Sequence, residues 1–407
     1  MIPLAEARAR VLAGCDPLGP RPHSLAEARG LVIASDVAAT ELIPPFPNSA
    51  VDGYAVRAVD VAEASPERPS RLAVLGTLAA GAAFDREVGP GEAVRIMTGA
   101  PLPAGADALV MVEDSRLSPD GATVELCAGA RAGDHVRPAG DDVRPGDVVV
   151  TAGTVLGAAH LGVLASLGVV EVTVHPRARV GVVSTGDELV EGPVPLAPGQ
   201  IRDSNRRTLL SLLSESGCEP VDLGLIRDDE ALITAAFEDG ARRCDALVSS
   251  GGVSMGEFDY VKRVLDRVGE INWMQVAIKP AKPLAFGHIG GRPTFGLPGN
   301  PVSSMVSFEL FARPALRRMM GHGALDRPTV RAVAPEGLRR RPDGRVQFFR
   351  VEAAWSGGGF EVRSAGGQGS HQLTGMAAAN ALAVVGDGDG VPPGEQVDVI
   401  LLSLPGQ

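Results

Sequence analysis

Ala246-Leu247-Val248-Ser249-Ser250-Gly251-Gly252-Val253-Ser254-Met255-Gly256 is an apolar run of strand length that ends in a glycine-rich loop. Working upstream, Asp229–Arg243 has helical spacing with acidic residues in its first turn, and Pro220–Ile226 is a strand. Arg206–Ser216 is a helix that stops at Gly217, and valine-rich Arg179–Ser184 is another strand. Downstream, Glu257–Val268 is a helix ending at Gly269. Ile271–Ile278, Leu284–Phe286 and Thr294–Phe295 are strands, and Val302–Met320 is a closing helix. Strands that alternate with helices imply a parallel sheet covered on both faces, because parallel neighbours need a crossover. A doubly wound α/β domain is expected over 177–325.

The flanks have another texture. Leu4–Leu12 and Ser24–Ile33 show helical spacing, the second with Ser24 as N-cap. Pro44-Pro45-Phe46-Pro47 cannot continue a helix. Arg71–Leu75, Ala93–Ile96, Ala108–Val112 and Thr123–Leu126 are short β-rich runs between Gly/Pro turns. They predict a β-domain over 46–139, inserted in a mixed N-terminal domain built from 1–45 and 140–176. After Pro328 the runs Val330–Val333, Val346–Val351, Phe360–Arg363, Ala381–Val385 and Val397–Leu402 predict a C-terminal β-barrel domain over 326–407. The expected fold class is therefore multidomain α/β plus β, in keeping with 407 residues, too many for one core.

Composition narrows the function. A net charge of -11 and 4% aromatic residues argue against a phosphate-backbone binder or a base-stacking platform, so no nucleic-acid partner is expected. Cys15, Cys127, Cys218 and Cys244 form no C-x-x-C, which suits a reducing compartment and no structural zinc. Met1–Glu6 has neither a basic nor an apolar leader pattern, so a cytoplasmic location is expected. Val148–Val170 is uncharged and long enough to span a bilayer. Its four glycines, His160 and hydroxyls read instead as a turn and a packed helix, so no membrane partner is expected.

Three loops follow strand ends: Ser184–Glu188, Ser249–Gly256 and Gly296-Leu297-Pro298-Gly299-Asn300-Pro301. One such loop is an ordinary turn. Three at neighbouring strand ends point to an anion pocket, where glycines admit the ligand and helix N-termini offer free N–H groups. Gly252–Gly256 also spells a nucleophile elbow. No oxyanion loop precedes Ser254, however, and His288, His322 and His371 sit in no recognisable motif, which disfavours a serine hydrolase. Asp229 reads as a helix cap. Asp259 stands where a helix N-terminus already favours phosphate, and a carboxylate there would repel a bare anion. Mg²⁺ between the two resolves the conflict. Among 38 basic residues only Lys262, Lys279 and Lys282 are lysine, and two of them lie in Lys279-Pro280-Ala281-Lys282-Pro283. A compact ammonium on a proline-stiffened loop suits a small tetrahedral oxyanion.

Asn48–Ala55, Arg95–Ala100, Ser184–Glu188, Asp203-Ser204-Asn205, Ser249–Gly256 with Asp259-Tyr260, Lys279–Pro283 and Gly296–Ser303 occur in one order. In this the chain resembles the molybdopterin molybdenumtransferases over essentially its whole length, and it is similar to the C-terminal domain of gephyrin. The resemblance implies a four-domain homodimer whose α/β domain is similar to molybdopterin adenylyltransferase. It implies transfer of molybdenum from molybdate onto adenylated molybdopterin, with hydrolysis of the adenylate and release of AMP. Transient contact with molybdopterin adenylyltransferase is also implied. Carried over by position, Asp228 and Asp259 hold Mg²⁺ and, with Lys279 and Lys282, are the catalytic set. Lys279, Lys282, Pro283 and Ser303 surround molybdate, joined by Arg350 and Ser370 from the C-terminal domain. Thr185, Gly251, Gly252 and Ser254 cradle the pterin phosphate, with Gly186 and Glu188 beside them. Asp52, Thr98 and Asp142 are polar residues contributed across the dimer.

Two departures stand out. Gln275 replaces a basic residue of some relatives, and Ala281 replaces a glycine often found between the lysines. Two other readings stay open. An adenylyltransferase-like enzyme would consume ATP with free molybdopterin, and a gephyrin-like scaffold would bind a partner without turnover.

Overall fold

The computed structural model describes residues 1–251 and 260–403. Its centre is a six-stranded sheet in the order Glu219–Ile226, Arg179–Thr185, Ala246–Ser250, Arg292–Leu297, Pro283–Ile289, Gly269–Gln275. The first four strands run parallel, with Val182 opposite Val248 and Val248 opposite Phe295. The last two join antiparallel, Ala285 opposite Gly296 and Trp273 opposite Ala285. The expected all-parallel sheet thus holds for four strands only. Gly290-Gly291, both at positive φ, make the tight turn into Arg292–Leu297, and a two-residue turn can only join antiparallel neighbours.

Helices cover both faces, as the doubly wound expectation requires. Leu209 and Leu213 of helix Asn205–Glu215 pack with Val302 and Val306 against Val180, Val182 and Val248. Ile233 and Phe237 of helix Glu230–Arg243 pack with Val264 and Leu265 against Val183 and Leu247. The Ala246–Ser250 strand is buried along its full length, which explains its unbroken apolar start. Asp229 caps its helix, its carboxylate accepting from the Ala231 and Leu232 N–H groups at 2.8 and 2.9 Å. Gly217 (φ +85°) ends helix Asn205–Glu215, and the Cys218 N–H donates back to the Leu213 carbonyl at 3.0 Å. The closing helix forms as Pro301–Ser307 and Arg313–Met319 around a π-turn at Phe308–Ala312.

The segment Ser24–Ile33 is not a helix. Arg21–Ser24 and Val32–Ile33 are strands on either side of Glu171–His175, with Ser24 opposite Glu171 and Ile33 opposite Val174. Between them a turn carries Gly30 at φ +79°. The helix-like spacing has another cause: Ala28, Leu31 and Ile33 all face a small core with Leu156, Leu164 and Val172. Val148–Val170 breaks into the strand Val148–Val150 and the helix Ala158–Ser166. Among the described residues no helix is long and apolar enough to cross a membrane.

Residues 53–126 form a second six-stranded sheet, from Ala108–Met111 at one edge to Ser115–Leu117 at the other. The C-terminal strands Val346–Ser356, Gly359–Ser364, Thr329–Ala334, Glu395–Leu401 and Ala381–Val385 pair in that order. The last returns to the first, Val384 opposite Phe348, closing a five-stranded barrel. Ile278–Lys279 pairs in parallel with Val346 and Gln347 and so joins the α/β sheet to the barrel rim.

Arg206, only 3% exposed, is a buried cation of the central domain. Its Nε donates to Asp203 Oδ2 at 3.0 Å and its Nη1 to Asp222 at 2.6 Å. Burial opposes the charge, yet the bonds to Asp222 and Asp203 hold the guanidinium above its usual range. Arg206→Ala is expected to lower stability by about 3–5 kcal/mol, because it leaves a buried carboxylate unpaired. A shift in the denaturant midpoint measures this. Burial would raise the Asp222 carboxyl, but Arg206 and the Gly224 N–H hold it below its ordinary 3.8. Its contribution is therefore present above pH 3.8 and is lost as pH falls through the lower folded value. Asp222→Asn should flatten this acid limb of the stability curve; superimposable native and variant curves would refute the assignment.

Candidate functional site

One short segment ties three of the four parallel strands together at their carboxyl ends and reaches the middle of the fourth. Asp203 accepts from the Ser184 hydroxyl at 3.2 Å, at the end of the second strand in the sheet order. Arg206 reaches Asp222 on the edge strand. Asn205 Nδ2 donates to Ser250 Oγ and to the Gly299 carbonyl, both at 2.7 Å, linking the remaining two strand ends. Asn205 Oδ1 is buried and has no hydrogen-bond partner among the described residues.

Two cavities flank the Gly299-Asn300 corner and share both residues. The first, of about 410 Å³, is lined by Thr185, Glu188, Ser204, Asn205 and Gly251. Gly251 sits at φ +92°, and a Cβ there would lie 3.3 Å from the Thr185 carbonyl, so the loop presses close to the neighbouring strand end. The Gly251 N–H donates to the Leu297 carbonyl at 3.1 Å. Gly186, the next residue after Thr185, is buried. Asp187 and Asp228 exchange bonds across adjacent strand ends. The Asp187 N–H donates to Asp228 Oδ2 at 3.4 Å, and the Asp228 N–H to Asp187 Oδ1 at 3.3 Å. Gly252, Ser254 and Asp259 lie outside the described residues. Among the described residues no group of three or more His, Cys, Asp or Glu side chains could hold a metal ion.

The second cavity, of about 450 Å³, is lined by Lys279, Lys282, Pro283, Ser303, Ser370 and Arg345. Its loop is closed by the Val276 N–H donating to the Lys282 carbonyl at 2.8 Å. Lys282 is exposed, and its side chain has no hydrogen-bond or ion-pair partner among the described residues. Lys279 Nζ lies 3.9 Å from Asp343, a carboxylate that also pairs with Arg345 and, at 2.7 Å, with Arg340. Arg345 chiefly, with Arg340 and Lys279, keeps the Asp343 carboxyl below its usual range. Three cations thus line the cavity, and its lysine loop shares one neighbouring carboxylate. Ser370 is brought in by the Val302 N–H, which donates to its carbonyl at 3.1 Å.

Arg350 is placed differently from its neighbours in the expected set. It is fully buried and does not line either cavity. Its Nη2 donates to the Gly367 and Gly369 carbonyls at 2.7 and 3.2 Å, so it shapes the turn that carries Ser370. Asp52 accepts from the Thr98 N–H at 2.7 Å and the Thr98 hydroxyl at 2.8 Å. Those two bonds, the backbone one first, hold the exposed Asp52 carboxyl below its usual range. Asp142 is an exposed turn residue whose N–H donates to the Ile43 carbonyl at 2.9 Å. Within the chain none of these three lines either cavity.

Sequence reasoning passed over Arg345 and Asn205 as site residues. Arg345 is one arginine among many, and only its place beside Val346, at the start of the strand paired with Ile278–Lys279, brings it to the cavity. Asn205 was visible within Asp203-Ser204-Asn205, but its bridging role depends on Ser250 and Gly299, 45 and 94 residues away.

Ala281 is buried and sits at φ +76°, a left-handed conformation that suits glycine. Ala281→Val should cost about 1–3 kcal/mol and weaken oxyanion binding, since a β-branched residue resists this region. Ala281→Gly should be tolerated. Thermal unfolding with oxyanion titration compares the two; equal behaviour of the variants would mean that the loop relaxes freely.

Profiles for known families match in three consecutive blocks. "MoeA N-terminal region (domain I and II)" matches residues 2–168, "Probable molybdopterin binding domain" 181–318, and "MoeA C-terminal region (domain IV)" 331–402. The molybdopterin molybdenumtransferase of Haemophilus influenzae is 39% identical over 405 residues, covering 98% of each chain. Molybdopterin molybdenumtransferase 2 of Mycobacterium tuberculosis is 39% identical over 92% of each. A crystal structure of the molybdopterin biosynthesis moeA protein from Pyrococcus horikoshii OT3 superposes with a TM-score of 0.81 at 29% identity, covering 98% of this chain and 100% of that one. With identity at this level along nearly the whole of both chains, and one fold from end to end, the chain belongs to the molybdopterin molybdenumtransferase family, transferases of molybdenum cofactor biosynthesis.

Proposed function

We propose that the chain transfers molybdenum from molybdate onto adenylated molybdopterin, with hydrolysis of the adenylate and release of AMP. One observation carries this reading: a cavity holding Lys279, Lys282 and Arg345 abuts, across Gly299-Asn300, a glycine-lined cavity at the strand ends. The first suits a tetrahedral dianion and the second a pterin phosphate, so the two reactants would meet at the shared corner. Thr185, Gly186, Glu188 and Gly251, with Gly252 and Ser254, form the phosphate side. Lys279, Lys282, Pro283, Ser303 and Ser370 form the oxyanion side. Arg345 adds a third cation there, and Arg350 acts from behind through the 367–369 turn.

Asp228 and Asp259 would hold Mg²⁺. The donor chemistry of the described part fits: Asp228, with Asp187 beside it, offers hard carboxylate oxygens of the kind Mg²⁺ takes together with phosphate oxygens and water. When bound, the ion neutralises charge on the phosphoanhydride as AMP departs. The lysines fix the oxyanion against the dithiolene, which is chiefly a positioning effect. Asn205 keeps the two cavities in register by holding Ser250 to Gly299.

The working unit on this reading is a cytoplasmic homodimer that receives adenylated molybdopterin by transient contact with molybdopterin adenylyltransferase. Its subunit divides into 1–45 with 140–176, 46–139, 177–325 and 326–407. Asp52, Thr98 and Asp142, which lie away from both cavities in their own chain, then complete the partner's site.

The purified chain should release AMP from adenylated molybdopterin only when molybdate and Mg²⁺ are both present; no AMP in the complete mixture would end the proposal. Removing both lysines, as Lys279→Ala/Lys282→Ala, should lower kcat/KM for molybdate by about 10²–10³-fold. Asp259→Asn should still bind the pterin but not turn it over. Sharing across the dimer has its own readout. Asp52→Ala and Asp259→Asn chains, each inactive alone, should regain partial activity when co-expressed, because a hybrid dimer keeps one intact site. No recovery would place Asp52 in its own chain's chemistry or outside it.

A further inference from the structure

At the opposite, amino-terminal edge of the parallel sheet lies a third cavity, of about 370 Å³. Its lining includes Arg21, Arg177, Arg179, Arg242, Arg243 and Arg292, against two carboxylates, Glu219 and Asp245. With His23 neutral its formal charge is +4, in a chain of net charge -11. Composition does not explain this. The 38 basic residues less three lysines leave 35 arginines in 407, so about one arginine among eleven lining residues is the proportional share.

Local structure accounts for part of the cluster. Arg242 and Arg243 close helix Glu230–Arg243, where cations are favourable, and both pair with Asp239, at 3.3 and 2.7 Å. Arg179 pairs with Glu219 at 3.3 Å. The other three are not so compensated. Arg177 donates only to the Gly217 and Arg29 carbonyls, both at 3.1 Å, and meets no carboxylate among the described residues. Arg21 and Arg292 have no side-chain hydrogen bond or ion pair among the described residues. They open two strands of different sheets, Arg21–Ser24 and Arg292–Leu297, so their approach is made by the tertiary structure and maintained against mutual repulsion.

We propose that this cavity binds a compact polyanion bearing adjacent phosphate groups, of which inorganic pyrophosphate is the simplest. Guanidinium forks converging from several elements match phosphate oxygens in pairs. The volume lies near the lower end for small-molecule sites. Only Pro176 and Cys244 among the lining residues are apolar, and apart from His23 no ring is present to stack a base, so the phosphates themselves are what the site recognises. The position excludes identity with the strand-end site, which lies at the other end of the same strands.

Calorimetric titration of the full chain with inorganic pyrophosphate tests this, in a Lys279→Gln/Lys282→Gln background that weakens the other oxyanion cavity. A class of site that depends on Arg21 and Arg292 should remain there, weakening steeply with added salt. Adding Arg21→Gln/Arg292→Gln should lower its affinity by about tenfold or more. In the otherwise native chain that pair of substitutions should leave AMP release and the ligand-free unfolding temperature unchanged, since neither side chain makes a bond among the described residues. No binding in the lysine background, or binding indifferent to the arginine substitutions, overturns the proposal. ADP separates a free polyanion from a nucleotide: an Arg21/Arg292-dependent affinity equal to that of pyrophosphate supports recognition of the phosphates alone. A much tighter one overturns the compact-polyanion assignment.

Discussion

A buried guanidinium is the constraint on which the central domain rests. Arg206 has left water almost completely, and it is tolerable there because Asp203, Asp222 and Glu191 meet it in fixed directions. Those directions have consequences. Asp203, held by Arg206, is in place to accept from Ser184, and Asn205, directly before Arg206, is in place to hold Ser250 to Gly299. A four-residue segment therefore pins three strand ends and the middle of the edge strand. Loops that would otherwise move independently become the walls of one site.

The second constraint is the seam between sheet and barrel. Ile278–Lys279 leaves the α/β sheet and pairs with Val346 and Gln347 at the barrel rim. That pairing sets Lys279 beside Arg345 and Asp343, and the Arg350-braced turn brings Ser370 to the same cavity. Neither domain alone holds all these groups. Within the lysine loop, Ala281 adopts a backbone conformation better suited to glycine.

Much of the fold was legible because its signals are local. The Ala246–Ser250 strand, the Asp229 cap and the Gly217 stop appear where hydrophobic period, capping chemistry and positive-φ glycine put them. Ser24–Ile33 was misread because a turn between two strands can bury Ala28, Leu31 and Ile33 as a helix face would. The antiparallel hairpin at the sheet edge escaped notice because alternation of strand and helix says nothing about direction once the helices stop. At the site, Lys279 and Lys282 stood out by their rarity, whereas Arg345 was hidden among 35 arginines.

The amino-acid sequence by itself determined the elements, the doubly wound order and the residue types of an anion site, since those follow from propensity, period and charge along a short stretch of chain. Only the tertiary structure decided which of those residues meet. Asn205 finds Ser250 and Gly299, Lys279 finds Asp343, and Arg21 approaches Arg292 over tens to hundreds of residues. It also set Arg350 behind the cavity wall instead of in it, and left Asp52, Thr98 and Asp142 away from both cavities of their own chain. Such meetings depend on how sheets, barrel and loops pack, and no local preference encodes a distance between residues so far apart in the chain.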